Sequence, residues 1–536
     1  MTNSPDKKIP IAVAILCIFM LLTGNLWGVI ETSEARYAEI SREMYRSGDW
    51  LHPSLLNIHH YHKPPVTYWV TATAFSIFGV NAFAARFFLV LSFGVQVLLL
   101  FRIARLLFKN KEIAGYCALV YATLPLTLIS VRGLTTDSYL TTFVLLSLFY
   151  GLKFIESKKV LFLYGMAFAL GVGFLVKGPV IFIVPVLAIA SMWNHARIKI
   201  NEGTIALLIF VTVGFSWFAF LVAEDSRFAD YFFFRHFVDR LANAEVFARK
   251  EPWYYYLPII PLVTLPWIII FIGGILAKKA TGDDRRMINR LLLWWILLPL
   301  IVFSISSSKL VLYILPLSIG FSLAAGYFLA GGISKILFKF FLAIPIIINL
   351  CLISIPIFFS RFNFNNTLYI SSSFTLVACL VVWFLILQRE LAVLLASTLF
   401  TINLILFSSQ FFSLNANEVN SLATVTSFIK QQGLHDRTII AYDELLPSVA
   451  FELDKEIISV YAGDRSLKRE TQFEPDDQWK NYLIDVNDRT SLQHFKTILS
   501  KQSVVIVKNE LPAKLDSLLV GRWIHKDFEK WKVYYN

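Results

Sequence analysis

The 536 residues are 57% hydrophobic and only 16% charged, with a mean hydropathy of +0.62, and 48 Phe, 21 Tyr and 13 Trp supply much of the apolar surface. Cores of ordinary size cannot hide that much, so composition excludes a wholly soluble chain and points to an integral membrane protein. The formal charge of +12 is uneven, with 33 Lys and Arg against 19 Asp and Glu in residues 1–412 and 16 against 18 in residues 413–536, which suits topology signals and anion contacts and argues against a nucleic-acid surface.

Uncharged runs of about 20 residues mark spans of the hydrocarbon core. The first is 11–30, and it lacks a small-residue cleavage site before Glu31, so it is read as a span and not as a signal peptide. A polar segment follows, then a shorter apolar stretch, 66–80, that suits the membrane surface. Further spans begin near Phe83, Ile113, Ser138, Leu161, Pro179, Thr204, Leu257, Leu291, Leu310, Ile336, Leu368 and Leu391, giving about thirteen in all. Cys17, Cys117, Cys351 and Cys379 all lie in apolar runs, so no disulfide framework is expected outside the membrane.

Short basic loops are retained in the cytoplasm, and with the N-terminus inside, Arg105, Lys158, Lys159, Arg197, Lys335, Lys339, Arg389 and the 278–290 cluster all fall on that side. Loops 31–66 and 224–256 and the tail 413–536 then lie on the outer, periplasmic face of a bacterial inner membrane. The tail turns charged at Ser413 and alternates helical patterns (419–432, 491–500) with β-branched runs (438–441, 456–460, 504–507), which predicts a small α/β domain after an all-α polytopic membrane domain, 1–412.

Charge close to the bilayer is expensive, so ionisable groups at outer span ends are candidates for chemistry. The first outer loop is densest in them. Its spacing predicts an amphipathic helix with Glu39–Arg42 and Glu43–Arg46 pairs and with Ile40 and Met44 toward lipid. Glu31 and Glu34 follow directly on the first span and are candidate general bases or metal ligands. Four of the nine histidines, His52, His59, His60 and His62, lie within eleven residues; His59 and His62 are close enough to share a divalent metal, the one candidate cofactor, although the spacing matches no zinc signature. Arg132 with Asp137, Lys177-Gly178-Pro179, and Lys309 with Tyr313 repeat one theme, a cation at the outer face suited to a phosphate, or to snorkelling toward headgroups. The 224–256 loop, with Arg235, His236, Arg240 and Trp253 to Tyr256, suits a lid or an interfacial belt.

Several of these residues stand in a shared pattern: Glu34-Ala-Arg36-Tyr37-Ala-Glu39-Ile40, Gly48-Asp49-Trp50, Lys63-Pro64-Pro65 with Tyr68-Trp69, Thr136-Asp137, Leu175-Val-Lys177-Gly178-Pro179, Pro252-Trp253-Tyr254-Tyr255, Leu265-Pro266-Trp267, and Ser308-Lys309 with Tyr313-Ile-Leu-Pro316. The ensemble resembles the bacterial GT-C glycosyltransferases, namely the lipid A aminoarabinose transferases and their protein O-mannosyltransferase-like relatives. That resemblance implies an inverting transferase that moves a sugar from a polyprenyl-phosphate carrier to a periplasmic-face acceptor, lipid A or another envelope lipid, with membrane lipids around it. It implies catalytic roles for Glu34, Asp137 and Glu31, and substrate contacts for Arg36, Tyr37, His62, Lys63, Tyr68, Trp69, Arg132, Lys177, Lys309 and Tyr313. A protein acceptor, or a transporter of lipid-linked sugar, are the alternatives. Two positions depart from the family: Ser33 stands where an Asp usually precedes the Glu, and His62 where a Glu usually precedes the Lys-Pro pair.

Overall fold

The computed structural model describes residues 5–193, 198–232, 251–278, 280–384, 389–519 and 523–536. Its contacts divide the chain into two compact units, one of Met1–Thr23, Leu89–Arg132 and Thr136–Ser408, the other of Gly24–Phe88, Gly133–Thr135 and Ser409–Asn536.

Helices make up the first unit. Along the whole chain, eight described helices are long and apolar enough to cross a membrane, or up to ten when two bent pairs, Lys111–Ala122 with Pro125–Arg132 and Tyr256–Thr264 with Trp267–Leu276, each count as one span. The predicted thirteen are not reached, for two physical reasons. Gly178, with φ 72, turns the end of the Val160–Lys177 helix into a 3-10 segment and on into Ile183–Met192, so that 160–192 is one helical run of 33 residues where two spans were expected. The first and the 310 stretches form shorter apolar helices, Lys8–Leu22 and Leu317–Ala330, as does the surface stretch Val66–Phe78, which was not among the thirteen.

Without a hydrophobic drive between helices in lipid, small residues and hydrogen bonds hold them together. A Cβ on Gly326 would lie 2.5 Å from the Cys117 nitrogen, so the Leu317–Ala330 and Lys111–Ala122 backbones touch only because position 326 is glycine. Gln96 donates to the Ser138 carbonyl (2.8 Å) and to Thr142 Oγ1 (2.9 Å) and accepts from Tyr121 (2.8 Å), all in buried surroundings. Asn403 donates to Asn349 Oδ1 at 2.7 Å in the same manner. Polar caps fix helix starts: Asn110 Oδ1 accepts from Glu112 and Ile113, and Ser334 Oγ from Leu337.

The second unit is built on a sheet. After a short hairpin of β1 (Ser54–Leu55) and β2 (Ile58–His59) come β3 (Thr438–Tyr442), β4 (Ile458–Tyr461), β5 (Leu483–Asp485), β6 (Ser503–Lys508), β7 (Ile524–Phe528) and β8 (Trp531–Tyr535). The last six form one sheet in the order β5-β4-β3-β6-β8-β7, parallel from β5 to β6 and antiparallel beyond. The small α/β domain expected of the tail is thus present.

Period-two alternation gives this sheet two apolar faces. Ile440, Tyr442, Val505 and Val507 pack with Phe495 and Leu499 on one side. Ile439, Ala441, Val504, Ile506 and Val533 pack on the other with Val425, Ile429 and Val449, and that core continues into Ile40, Met44, Tyr68 and Ala72. The apolar stripe of the Ser33–Ser47 helix and the Tyr68 and Ala72 face of the Val66–Phe78 helix are therefore covered by protein, where lipid was expected to cover them, while Ile77 and Phe78 stay exposed.

Candidate active site

Glu34 enters the second unit in the first turn of the Ser33–Ser47 helix and is buried. Arg86, in the first turns of the Ala82–Phe108 helix, grips it with both arms: Nε donates to Oε1 at 2.8 Å and Nη2 to Oε2 at 2.9 Å, with side chains only 2% and 6% exposed. The backbone nitrogens of Ile30 and Leu134 donate to the remaining carboxylate positions, at 3.0 and 3.1 Å. Arg86 spends its other donors on the carbonyls of Gly24, Trp27 and Gly28, and its guanidinium lies 4.2 Å from the Trp27 ring. Five donors thus meet five acceptors, and a buried charge is fully compensated.

The rest of the loop is tied to the tail in the same unit. Glu31 Oε1 accepts from the Ser448 nitrogen at 2.8 Å, and burial lifts its carboxyl to about 7. Glu39 and Arg42 form the predicted pair, bidentate at 2.7 Å, and Arg42 reaches on to Asp454 at 3.3 Å. The predicted Glu43–Arg46 pair does not form. Glu43 instead takes Ser54 Oγ (2.6 Å) and the Asn57 nitrogen (3.0 Å), while Arg46 turns to Asp454, because the tail supplies a partner that the isolated helix lacks.

Arg36 is half-buried on the same helix, with its Nε shielded from solvent. The Tyr37 and Tyr68 rings lie 5.9 Å apart, and Trp69 Nε1 donates to the Trp50 carbonyl at 2.6 Å. Lys63 is half-buried just ahead of the Val66–Phe78 helix.

His59 Nδ1 lies 3.2 Å from Glu474, and His62 Nε2 lies 3.3 Å from Glu470, so each ring faces its own carboxylate. Among the described residues no group of three or more His, Cys, Asp or Glu is placed to hold a metal ion. The tail thus brings a glutamate to each of the two rings.

In the first unit a second carboxylate–cation pair stands in the mouth of two helices. Asp137, in the first turn of the Thr136–Ser157 helix, accepts from Lys177 Nζ at 2.5 Å, with both side chains 9% exposed. The ammonium also lies 4.3 Å from the centre of the Tyr313 ring. Gly178, which ends the Val160–Lys177 helix, has open space where a Cβ would stand. Nearby chain is held by Tyr256, whose hydroxyl donates to the Leu310 carbonyl at 3.2 Å.

Lys309 and Arg132, expected to join Lys177 around one phosphate, are held by backbone. Lys309 Nζ donates to the carbonyls of Ser306 (2.6 Å) and Glu251 (2.9 Å), and Arg132 Nη1 to that of Met20 (3.1 Å). Arg235, His236 and Arg240 lie outside the described residues. The sequence reading missed Arg86, Glu452 and Arg469. Arg86 carried a signal, a lone cation at the head of an apolar span, which is a mark of an intramembrane partner. Arg469, half-buried and donating to the Ile58 carbonyl at 3.0 Å, carried none.

A carboxylate paired with an ammonium beside an aromatic ring can exchange partners: an arriving phosphate competes for the cation and frees the acid.

Comparison with known proteins gives the same direction. A family model described as dolichyl-phosphate-mannose-protein mannosyltransferase matches residues 62–222. The undecaprenyl phosphate-alpha-4-amino-4-deoxy-L-arabinose arabinosyl transferase 2 of Pseudomonas fluorescens is 31% identical over 335 residues, which are 61% of this chain and 57% of that protein. The arabinosyl transferase of the same description from Pectobacterium atrosepticum is 33% identical over 325 residues, 58% of this chain and 56% of that one. The matches thus span less than two thirds of these relatives. Among solved structures, ArnT from Cupriavidus metallidurans, bound to undecaprenyl phosphate, superposes with a TM-score of 0.80 at 20% identity over 98% of this chain and 97% of its own. Its apo form gives 0.79 at 19% identity. The resemblance to the GT-C glycosyltransferases carried by the sequence motifs is borne out, and this multi-span membrane protein has the fold of the aminoarabinose transferases.

Proposed function

We propose that this protein is an inverting glycosyltransferase of the bacterial inner membrane, moving a 4-amino-4-deoxy-arabinose-type sugar from undecaprenyl phosphate to lipid A or another envelope lipid at the periplasmic face. The observation that carries it is the Asp137–Lys177–Tyr313 cluster, at 2.5 Å and 4.3 Å. The sugar and carrier are those in the names of the relatives. The N-terminus inside and residues 413–536 outside follow from the placement of the basic loops.

In this reading the carrier phosphate takes Lys177 from Asp137, the freed Asp137 carboxylate orients the acceptor, and the Tyr313 ring offers a face to the sugar. An acceptor phosphate oxygen attacks the anomeric carbon, the bond from that carbon to the carrier oxygen breaks, and polyprenyl phosphate leaves as an anion held by Lys177. A phosphate acceptor is already ionised, so positioning and charge stabilisation do the work, and no strong base is required. That fits Ser33 in place of an acid, and it fits the full engagement of Glu34 by Arg86 and two backbone nitrogens, which suits a positioning role. A second reading, a protein hydroxyl as acceptor, draws on the description of the matching family model; Asp137 would then have to take the hydroxyl proton.

Purified full-length protein in detergent, given labelled undecaprenyl-phosphate aminoarabinose with lipid A or periplasmic protein, tests these readings. Label should reach lipid A, and Lys177→Ala and Asp137→Asn should each lower kcat/KM about 100-fold or more at normal abundance. Label in protein would exchange the acceptor. Absence of donor consumption, in a system without a gradient, would favour transport.

A further inference from the structure

We infer that Glu452 is a positioning residue for the motif carboxylate Glu34 and for the connector Gly133–Thr135 that leads into the Asp137 helix. Glu452 lies in the Pro447–Leu453 helix of the tail, within the second unit. Its Oε1 accepts from the Val29 nitrogen at 2.9 Å. The neighbouring Gly28 makes room for it, since a Cβ there would lie 2.6 Å from the same oxygen.

From that point a continuous chain of contacts runs to the motif. The Gly28 carbonyl accepts from Arg86 Nη2 at 3.1 Å, Arg86 clamps Glu34 at 2.8 and 2.9 Å, and Glu34 accepts from Ile30 at 3.0 Å and Leu134 at 3.1 Å. The helix carrying Glu452 makes a second tie one turn earlier, where the Ser448 nitrogen donates to Glu31. It is also anchored by packing of the Phe451 ring, tilted 44°, against Phe75, with ring centres 5.7 Å apart, and by Lys430 donating to the Glu452 carbonyl at 2.5 Å. Asp137 follows two residues after Thr135 in the chain and opens the Thr136–Ser157 helix. A tail carboxylate therefore fixes the segment 28–30, that segment fixes Arg86 and Glu34, and Glu34 fixes the residues from which the Asp137 helix starts. Such positioning acts on rate more than on affinity, because a small misplacement of a reacting group lowers turnover while the substrate still binds.

The inference rests on the transferase reading, with Asp137 at the reacting centre. Its test uses full-length protein in detergent with undecaprenyl-phosphate aminoarabinose and lipid A, and amide hydrogen exchange on the same samples. Glu452→Ala should lower kcat about tenfold with donor KM within about twofold, and should speed exchange of the Ile30 and Leu134 amides about tenfold. Glu452→Gln keeps an oxygen for the Val29 N–H and should restore both. Gly28→Ala should be harmful alone and less so on top of Glu452→Ala, because the atom it collides with is then gone. Wild-type kcat and unchanged exchange in Glu452→Ala would overturn the inference, as would equal damage from Ala and Gln. Wild-type protein that consumes no donor would sink the transferase reading alone, and the exchange rates would still decide whether Glu452 holds the connector.

Discussion

Removing the guanidinium of Arg86 should be among the most damaging single changes in the second unit. Its five donors reach two Glu34 oxygens and three backbone carbonyls at 2.7–3.1 Å, and its side chain is 2% exposed. Arg86→Leu leaves the Glu34 carboxylate buried with two backbone N–H groups and no counter-charge, a change worth about 3–5 kcal/mol. Arg86→Lys keeps the charge but offers three donors from one point, so at least two carbonyls lose their partner, at about 1–3 kcal/mol for each buried group left unmade. For a unit of this size, 1 kcal/mol moves the melting midpoint by roughly 2–4 °C, so a fall of about 10 °C is expected for Arg86→Leu. The assay is tryptophan fluorescence during heating of purified protein in detergent. Adding Glu34→Leu to Arg86→Leu should recover part of the loss, since two apolar groups replace one stranded charge. If Arg86→Leu melts with the wild type, or if the double variant is worse than the sum of its parts, the ion pair is not what holds this loop.

Glu31 gives the second unit a pH dependence. Its folded-state value of about 7 lies above the ordinary 4.5, so the folded form binds the extra proton: the stabilisation is complete below about 4.5 and is lost as pH rises through 7. The melting midpoint should fall from pH 5 to pH 8 by the equivalent of up to about 3 kcal/mol, and Glu31→Gln should flatten the slope; equal slopes would contradict the assignment. Gly326→Ala drives a methyl onto the Cys117 backbone and should destabilise by about 1–3 kcal/mol, read as lower yield and melting midpoint of the membrane-extracted protein. Lys309→Met frees the carbonyls of Glu251 and Ser306 and should speed proteolytic cleavage near 251–256 about tenfold; unchanged cleavage would mean the two contacts hold nothing.

Local patterns were legible where local physics decides them. The runs 438–441 and 504–507 lie inside β3 and β6, and the 456–460 run overlaps β4, because parallel strands buried on both faces declare themselves as β-branched runs. The Glu39–Arg42 pair was legible from helical spacing. What covers the Ser33–Ser47 helix was not, since Ile40 and Met44 look alike whether lipid or Val449 lies above them. The same blindness sent Arg46 to Glu43 instead of Asp454 and hid Glu474 and Glu470 beside His59 and His62. Each missed partner lies some 400 residues further along the chain. In the first unit, the spacing of Lys177 and Asp137 along the chain said nothing of their contact; only their common placement at outer span ends hinted at it.

That separation in sequence also sets a timetable. Segments 24–88 and 409–536 share one core, yet a ribosome adding roughly 5–20 residues per second completes the second long after the first. For roughly half a minute the Ser33–Ser47 helix carries buried-type charges and an apolar stripe with nothing above them. A chain that stops short of the tail leaves that surface open for good, so it should be degraded even when every span before it has inserted correctly.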